Sequence, residues 1–166
     1  MSVDETELTI RPVESFDIPV LAVLHAACFT AAWDQSWSEK SFRDVLAIPG
    51  AGALIAAIGS EPVGFALARV AADEAELLLI GTRPDYRRGG YGRALLERML
   101  ATMQRGGAAQ VFLEVAEPND AALRFYRGAG FREIGRRPDY FRGATTVDAL
   151  VLARRLDGDA VRKASQ

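Results

Sequence analysis

Residues 75–116 read AELLLIGTRPDYRRGGYGRALLERMLATMQRGGAAQVFLEVA. Ala75–Thr82 is a nearly continuous apolar run, as expected of a strand covered on both faces. In the segment that follows, Leu95, Leu96, Met99, Leu100 and Met103 fall on one helical face, and Gly106-Gly107 ends it. Ala108–Ala116 is again a buried-strand pattern. Strand, glycine turn, helix and strand in this order require the two strands to run parallel, because a helix-length crossover returns the chain to the same end of the sheet.

Working outward, the N-terminal side adds a strand ending at Pro12, a helix after Ser15, and a second helix capped at Ser36 or Ser38 and stopped by Pro49-Gly50. Ala53–Ile58 and Val63–Val70 are apolar runs joined by Gly59-Ser60-Glu61-Pro62, the punctuation of a hairpin. Asp73 and Glu74 mark the next turn, and Asp73, Glu74 and Glu76 read as solvated charges around it in preference to an attraction for a basic peptide. On the C-terminal side Asn119 is a strong N-cap for a helix through DAALRFYRGAG, and Phe131–Ile134 and Val147–Ala153 read as the last strands. The element order β-α-α-β-β-β-α-β-α-β-β predicts a mixed α/β sheet with helices on both faces. One domain is expected over 1–156, with a polar tail over 157–166.

Composition narrows the chemistry. The 166 residues carry a formal net charge of -2, which argues against holding nucleic acid by bulk charge. One cysteine, Cys28, excludes a disulfide framework, and one histidine, His25, excludes histidine-rich metal sites; no metal is expected. No apolar stretch is long enough to predict a membrane span, and the acidic N-terminus lacks the pattern of a signal peptide, so a cytoplasmic protein is expected.

The turn Arg87-Arg88-Gly89-Gly90-Tyr91-Gly92-Arg93 lies where a strand hands over to a helix. A helix N-terminus exposes unpaired N–H groups and a partial positive charge, and glycines allow close approach of an anion. The reading is a pyrophosphate cradle, with Arg87, Arg88 and Arg93 as added cations. Neither nucleotide motif fits: no Gly-Lys-Ser/Thr is present, and the third glycine of GxGxxG is Leu95.

R-x-x-G-x-G over Arg87–Gly92 resembles the acetyl-CoA loop of the GNAT superfamily of N-acetyltransferases. Leu113-Glu114-Val115, then Asn119, then Tyr126–Phe131 are similarly spaced. Trp37–Phe42, Arg136–Phe141 and Val147–Leu150 resemble segments of the RimI type, bacterial enzymes that acetylate the N-terminal alanine of a small-subunit ribosomal protein. The resemblance covers about Leu8 to Leu156. It implies the GNAT fold, a central mixed and mainly antiparallel sheet flanked by helices, with acetyl-CoA as co-substrate. It implies that the backbone of Ile80, Gly81 and Thr82 holds the acetyl and pantetheine arm. Arg88, Gly89, Gly90, Tyr91, Gly92 and Arg93 then form the pyrophosphate loop, and Asn119 contacts the cofactor. Glu114 is implied as general base and Tyr126 as general acid. The implied partner is a protein or peptide N-terminus, with neither nucleic acid nor membrane contacted. Thr82-Arg83 departs from the valine and acidic residue usual after the strand, at contacts that are made by backbone.

The chemistry is compatible with these residue types. A free α-amine titrates near ~7.7–8.0 and a lysine amine near ~10.4, so one carboxylate suffices for the former. Direct attack needs no enzyme nucleophile and leaves Cys28 without a role. Each side chain also has a plainer reading: an ion pair or edge position for Glu114, ring packing for Tyr126, a cap alone for Asn119, core packing for His25. Trp33, Trp37 and Tyr140 are open to groove lining or packing. Two other functions share the cofactor features: acetylation of a small amine or lysine, and acyl-CoA binding without catalysis.

Overall fold

The computed structural model describes residues 6–156; the polar tail expected over 157–166 lies outside them. Seven strands and four helices alternate in the expected order: β1 Leu8–Pro12, α1 Ile18–Cys28, α2 Glu39–Leu46, β2 Ala51–Ile58, β3 Glu61–Ala71, β4 Glu74–Thr82, α3 Tyr91–Arg105, β5 Gln110–Ala116, α4 Asp120–Gly128, β6 Arg132–Arg142 and β7 Thr146–Arg155. They form one sheet in the order β1-β2-β3-β4-β5-β7-β6. Every neighbouring pair is antiparallel except β4 and β5. The mixed, mainly antiparallel sheet is therefore as expected, and its one parallel join is the strand–helix–strand unit over residues 74–116.

Both faces are covered. Leu95, Leu96, Met99, Leu100 and Met103 of α3 and Leu123 of α4 pack on Ala66, Leu77, Val111, Leu113 and Leu152. On the opposite face Leu21 and Leu24 of α1 and Phe42 of α2 pack on Ile55, Phe65 and Leu67. The caps follow local chemistry. Ser38 accepts from the Ser41 amide at 3.2 Å at the start of α2, and Asn119 accepts from the Ala122 amide at 3.2 Å at the start of α4.

Two features depart from the local reading. β7 inserts between β5 and β6, so those two strands run the same way without touching. The final strands are also longer than their apolar runs, and β6 continues to Arg142 through Pro138. Pro138 lacks an amide to donate, yet β6 is an edge strand and its pairing with β7 is interrupted between Arg137 and Phe141. Asp139 occupies φ 51° within that interruption. The chain from Gly135 to Arg142, beyond the apolar run Phe131–Ile134, is thus strand, and proline is tolerated in it because the strand bulges where it stands.

Candidate active site

The single parallel join is short. β4 and β5 pair only at Glu74–Gln110, Ala75–Val111 and Glu76–Phe112. Leu67 of β3 then faces Leu79 while Ala68 faces Leu77, which leaves Leu78 as an extra residue in β4. A bulge bends its strand and ends local pairing. Past it, β4 stays bonded to β3 and β5 to β7, but the facing edges of Leu77–Thr82 and Leu113–Ala116 part. A cavity of about 390 Å³ opens in the split, with Ile80, Glu114, Asn119 and Tyr126 in its wall. The parted edges offer backbone donors and acceptors to an extended ligand.

Strand alternation decides which side chain meets the cavity from which side. Val111, Leu113 and Val115 enter the core beneath α3 and α4. Glu114, between them, therefore projects to the α1 and α2 face. Its side chain is only 13% exposed, and Nε of Arg137 lies 3.3 Å from its Oε1. Burial pushes the carboxyl above its usual range, Glu76 pushes it further, and Arg137 opposes both. Arg137 itself is largely exposed and stands over the Tyr140 ring at 5.7 Å.

Tyr126 approaches from the other face. It packs against the α3–α4 core, edge-on to Phe125 at 5.3 Å and to Phe131 at 5.7 Å. Burial raises its phenol above the ordinary value, so it holds its proton throughout the neutral range. The structure thus brings a carboxylate and a phenol to one cavity from opposite faces of the sheet. Asn119 lines the same cavity while its side-chain oxygen caps α4.

The glycine turn lies beyond the end of β4. Gly81 lets α1 approach, since a Cβ there would stand 2.9 Å from the Cys28 Cβ. Thr82 meets the first turn of α3, where a Cβ on Gly92 would stand 3.2 Å from the Thr82 hydroxyl. Arg88 at φ 71° and Gly90 at φ 81° turn the chain into the helix. Gly90 is the N-cap, without a side-chain cap and with no acidic residue in the first turn. A Cβ on Gly90 would meet nothing within 4 Å, so the amides of Tyr91 and Gly92 begin the helix beside open space. That arrangement fits an anion.

The three arginines differ in their partners. Arg87 donates from Nε to the Thr82 carbonyl at 3.1 Å and from Nη2 to the Cys28 carbonyl at 3.2 Å. Arg93 bonds Glu97 at 3.0 Å and the Gly128 carbonyl at 3.2 Å. Both hold the fold together. Among the described residues Arg88 makes neither a hydrogen bond nor an ion pair, which leaves it available to a ligand. Gly89 packs beside the Tyr91 ring, which in turn meets Tyr86 edge-on at 6.3 Å.

Other residues acquire places that the sequence alone left open. His25 is buried and stacked on Phe29 at 4.5 Å, and it also reaches the cavity wall; burial lowers its pKa and keeps it neutral. Trp33, Trp37 and Tyr140 line the cavity. Burial pushes the Cys28 thiol up to about 11, which keeps it protonated. The solvated-turn reading fits Asp73 and Glu74, which are exposed, but is corrected for Glu76, which is half-buried in β4 and lines the cavity. The available signal was Glu76 itself, a lone charge inside the run Ala75–Ile80.

Comparison with known proteins bears on this arrangement. The model described as the Acetyltransferase (GNAT) family matches residues 19–131. The N-alpha-acetyltransferase RimI of Mycobacterium tuberculosis is 37% identical over 163 residues, spanning 96% of this chain and 99% of the relative. The [ribosomal protein bS18]-alanine N-acetyltransferase of Escherichia coli K12 is 35% identical over 148 residues, spanning 87% of this chain and 95% of the relative. The crystal structure of the ribosomal-protein-S18-alanine N-acetyltransferase from Escherichia coli superposes with a TM-score of 0.81 at 31% identity, covering 90% of this chain and 94% of that one.

Proposed function

The chain belongs to the GNAT acetyltransferase family, and from that premise we propose that it acetylates the N-terminal α-amine of a small-subunit ribosomal protein, with alanine as the first residue. The substrate class comes from the relatives named for that reaction. A cytoplasmic location fits a ribosomal-protein substrate. The observation that carries the mechanism is the meeting of Glu114 and Tyr126 at one cavity, where β4 and β5 part.

Acetyl-CoA is the co-substrate, and when bound it supplies an acetyl group activated as a thioester. The amides at the start of α3 and the Arg88 guanidinium suit its pyrophosphate. The free edge of Ile80, Gly81 and Thr82 suits the pantetheine arm, and Asn119 stands on the cofactor side of the split. Glu114 accepts a proton from the acceptor ammonium and frees the nitrogen lone pair for attack. Its raised pKa brings it nearer to that of an α-ammonium, which eases the transfer. Tyr126 holds its proton on the far face and donates it to the departing sulfur as the C–S bond breaks; the attacking nitrogen sheds its second proton as the amide forms, and that proton, passed through water, restores the Tyr126 phenol. No covalent enzyme intermediate is needed, and Cys28 as a neutral thiol takes no part.

The test is mass spectrometry of peptides carrying the N-termini of small-subunit ribosomal proteins, incubated with enzyme and acetyl-CoA. The expected result is one added acetyl group on the α-amine of an alanine-starting peptide. Absence of any α-acetylated product across the panel overturns the reading; a product acetylated only on lysine replaces it.

A further inference from the structure

Glu76 faces the cavity beside Glu114 and has no assigned work. In β4 it stands opposite Phe112 of β5, two residues before Glu114, so both carboxylates share the α1 and α2 face. The two sense each other across the cavity: each raises the Tyr140 phenol, and Glu76 raises Glu114.

The other charged groups of the wall are committed. Asp34 accepts the Ala31 amide at 2.9 Å. Arg142 donates to the Asp139 carbonyl at 2.8 Å. Glu114 has Arg137. Among the described residues Glu76 makes neither a hydrogen bond nor an ion pair, and its cross-strand neighbour Arg69 is exposed and outside the cavity lining. Of the ionisable side chains in the wall, Asp34, Glu76 and Glu114 are acidic and Arg142 is basic, with Arg137 reaching Glu114 from outside the lining and His25 neutral. A half-buried carboxylate with no cation of its own offers a place for one. The acceptor brings one.

We propose that Glu76 recognises the acceptor amine in its protonated form, holding the ammonium beside Glu114 and selecting cationic acceptors over neutral ones. This rests on the acetyl-transfer reading of the same cavity. An ammonium has three N–H donors, enough to reach both carboxylates at once. One N–H bond then breaks as an O–H bond forms on Glu114. Glu76 keeps its charge and continues to accept a hydrogen bond from the neutral amine. No bond is made or broken at Glu76, so its contribution is to binding.

Steady-state kinetics and calorimetry on the full chain test this with Glu76→Gln, which keeps the shape and removes the charge. Loss of a charge-assisted hydrogen bond raises KM for the amine by roughly tenfold, with kcat little changed. Binding of acetyl-CoA and of the same peptide with a blocked N-terminus stays as in the wild type. Glu76→Asp recovers part of the loss, and a melting curve for each variant reports folding. An unchanged KM in Glu76→Gln, or an equal loss of affinity for the blocked peptide, overturns the role. The two readings fail separately. A wild type that acetylates no α-amine overturns the proposed substrate, while Glu76 is scored on whichever amine is turned over. A wild type that acetylates no amine overturns both.

Discussion

The Arg137 guanidinium reaches the Glu114 carboxylate at 3.3 Å from β6, a strand that is separated from β5 by β7. An exposed cation from the sheet edge thus reaches a carboxylate that is nearly enclosed. Arg137 is still in register with Ala149 of β7, and the edge strand bulges immediately after it.

This pair sets a pH dependence. Burial and Glu76 raise the Glu114 pKa, so activity that needs the carboxylate falls as pH drops through that raised value. Arg137 favours the charged form. Arg137→Gln therefore raises the Glu114 pKa further and moves the acid limb of the kcat/KM profile to higher pH, whereas Arg137→Lys restores part of it. An acid limb that stays in place refutes the coupling. Glu114→Gln lowers kcat by about 10²–10⁴-fold, the range for loss of a general base, with acetyl-CoA affinity retained.

Tyr126→Phe keeps the ring between Phe125 and Phe131 and removes the hydroxyl alone. The melting temperature is expected to stay close to that of the wild type, while kcat falls by about 10²-fold or more. Release of CoA thiol, followed colorimetrically, measures it. Wild-type turnover in this variant would assign the leaving-group proton to water.

Gly90→Asp places a negative charge at the N-terminus of α3, where φ is 81°. The anion site is expected to lose at least about tenfold in acetyl-CoA affinity, from charge repulsion together with the left-handed backbone that aspartate tolerates only at a cost. Gly90→Asn shares the backbone cost without the charge and loses less. Calorimetric titration of both variants separates the two causes; equal losses would leave charge without a part.

Arg87 and Arg88 are expected to behave in opposite ways despite being neighbours. Arg87→Ala breaks bonds to the Thr82 and Cys28 carbonyls and costs about 1–2 kcal/mol of stability, read from denaturant unfolding. Arg88→Ala leaves stability unchanged and raises KM for acetyl-CoA. A stability loss in Arg88→Ala, with KM unchanged, would reverse their roles.

Sequence legibility followed the range of the interactions. The cap at Asn119 and the glycine turn at Arg88–Gly92 were readable because they depend on neighbours a few residues away. The apolar run Phe131–Ile134 shows only the start of β6, because the rest of the strand is polar and carries Pro138, which is harmless only at the sheet edge. Glu76 was read as solvated because it follows a charged turn, although its place inside the run Ala75–Ile80 pointed into the sheet.

What the sequence by itself determined was the order of elements, the parallel join between the strands flanking α3, and the residue types able to serve an acyl transfer. Hydrophobic periodicity and turn chemistry are local and suffice for these. What the tertiary structure decided was which of those residues meet. The bulge at Leu78 parts β4 from β5, β7 inserts beside β5, and alternation turns Glu114 to the cavity from one face while Tyr126 of α4 reaches it from the other. It also gave Arg87 and Arg93 partners within the fold and left Arg88 with none among the described residues. Those outcomes depend on register between strands distant in sequence, and that register is fixed by packing of the whole sheet rather than by any stretch of it.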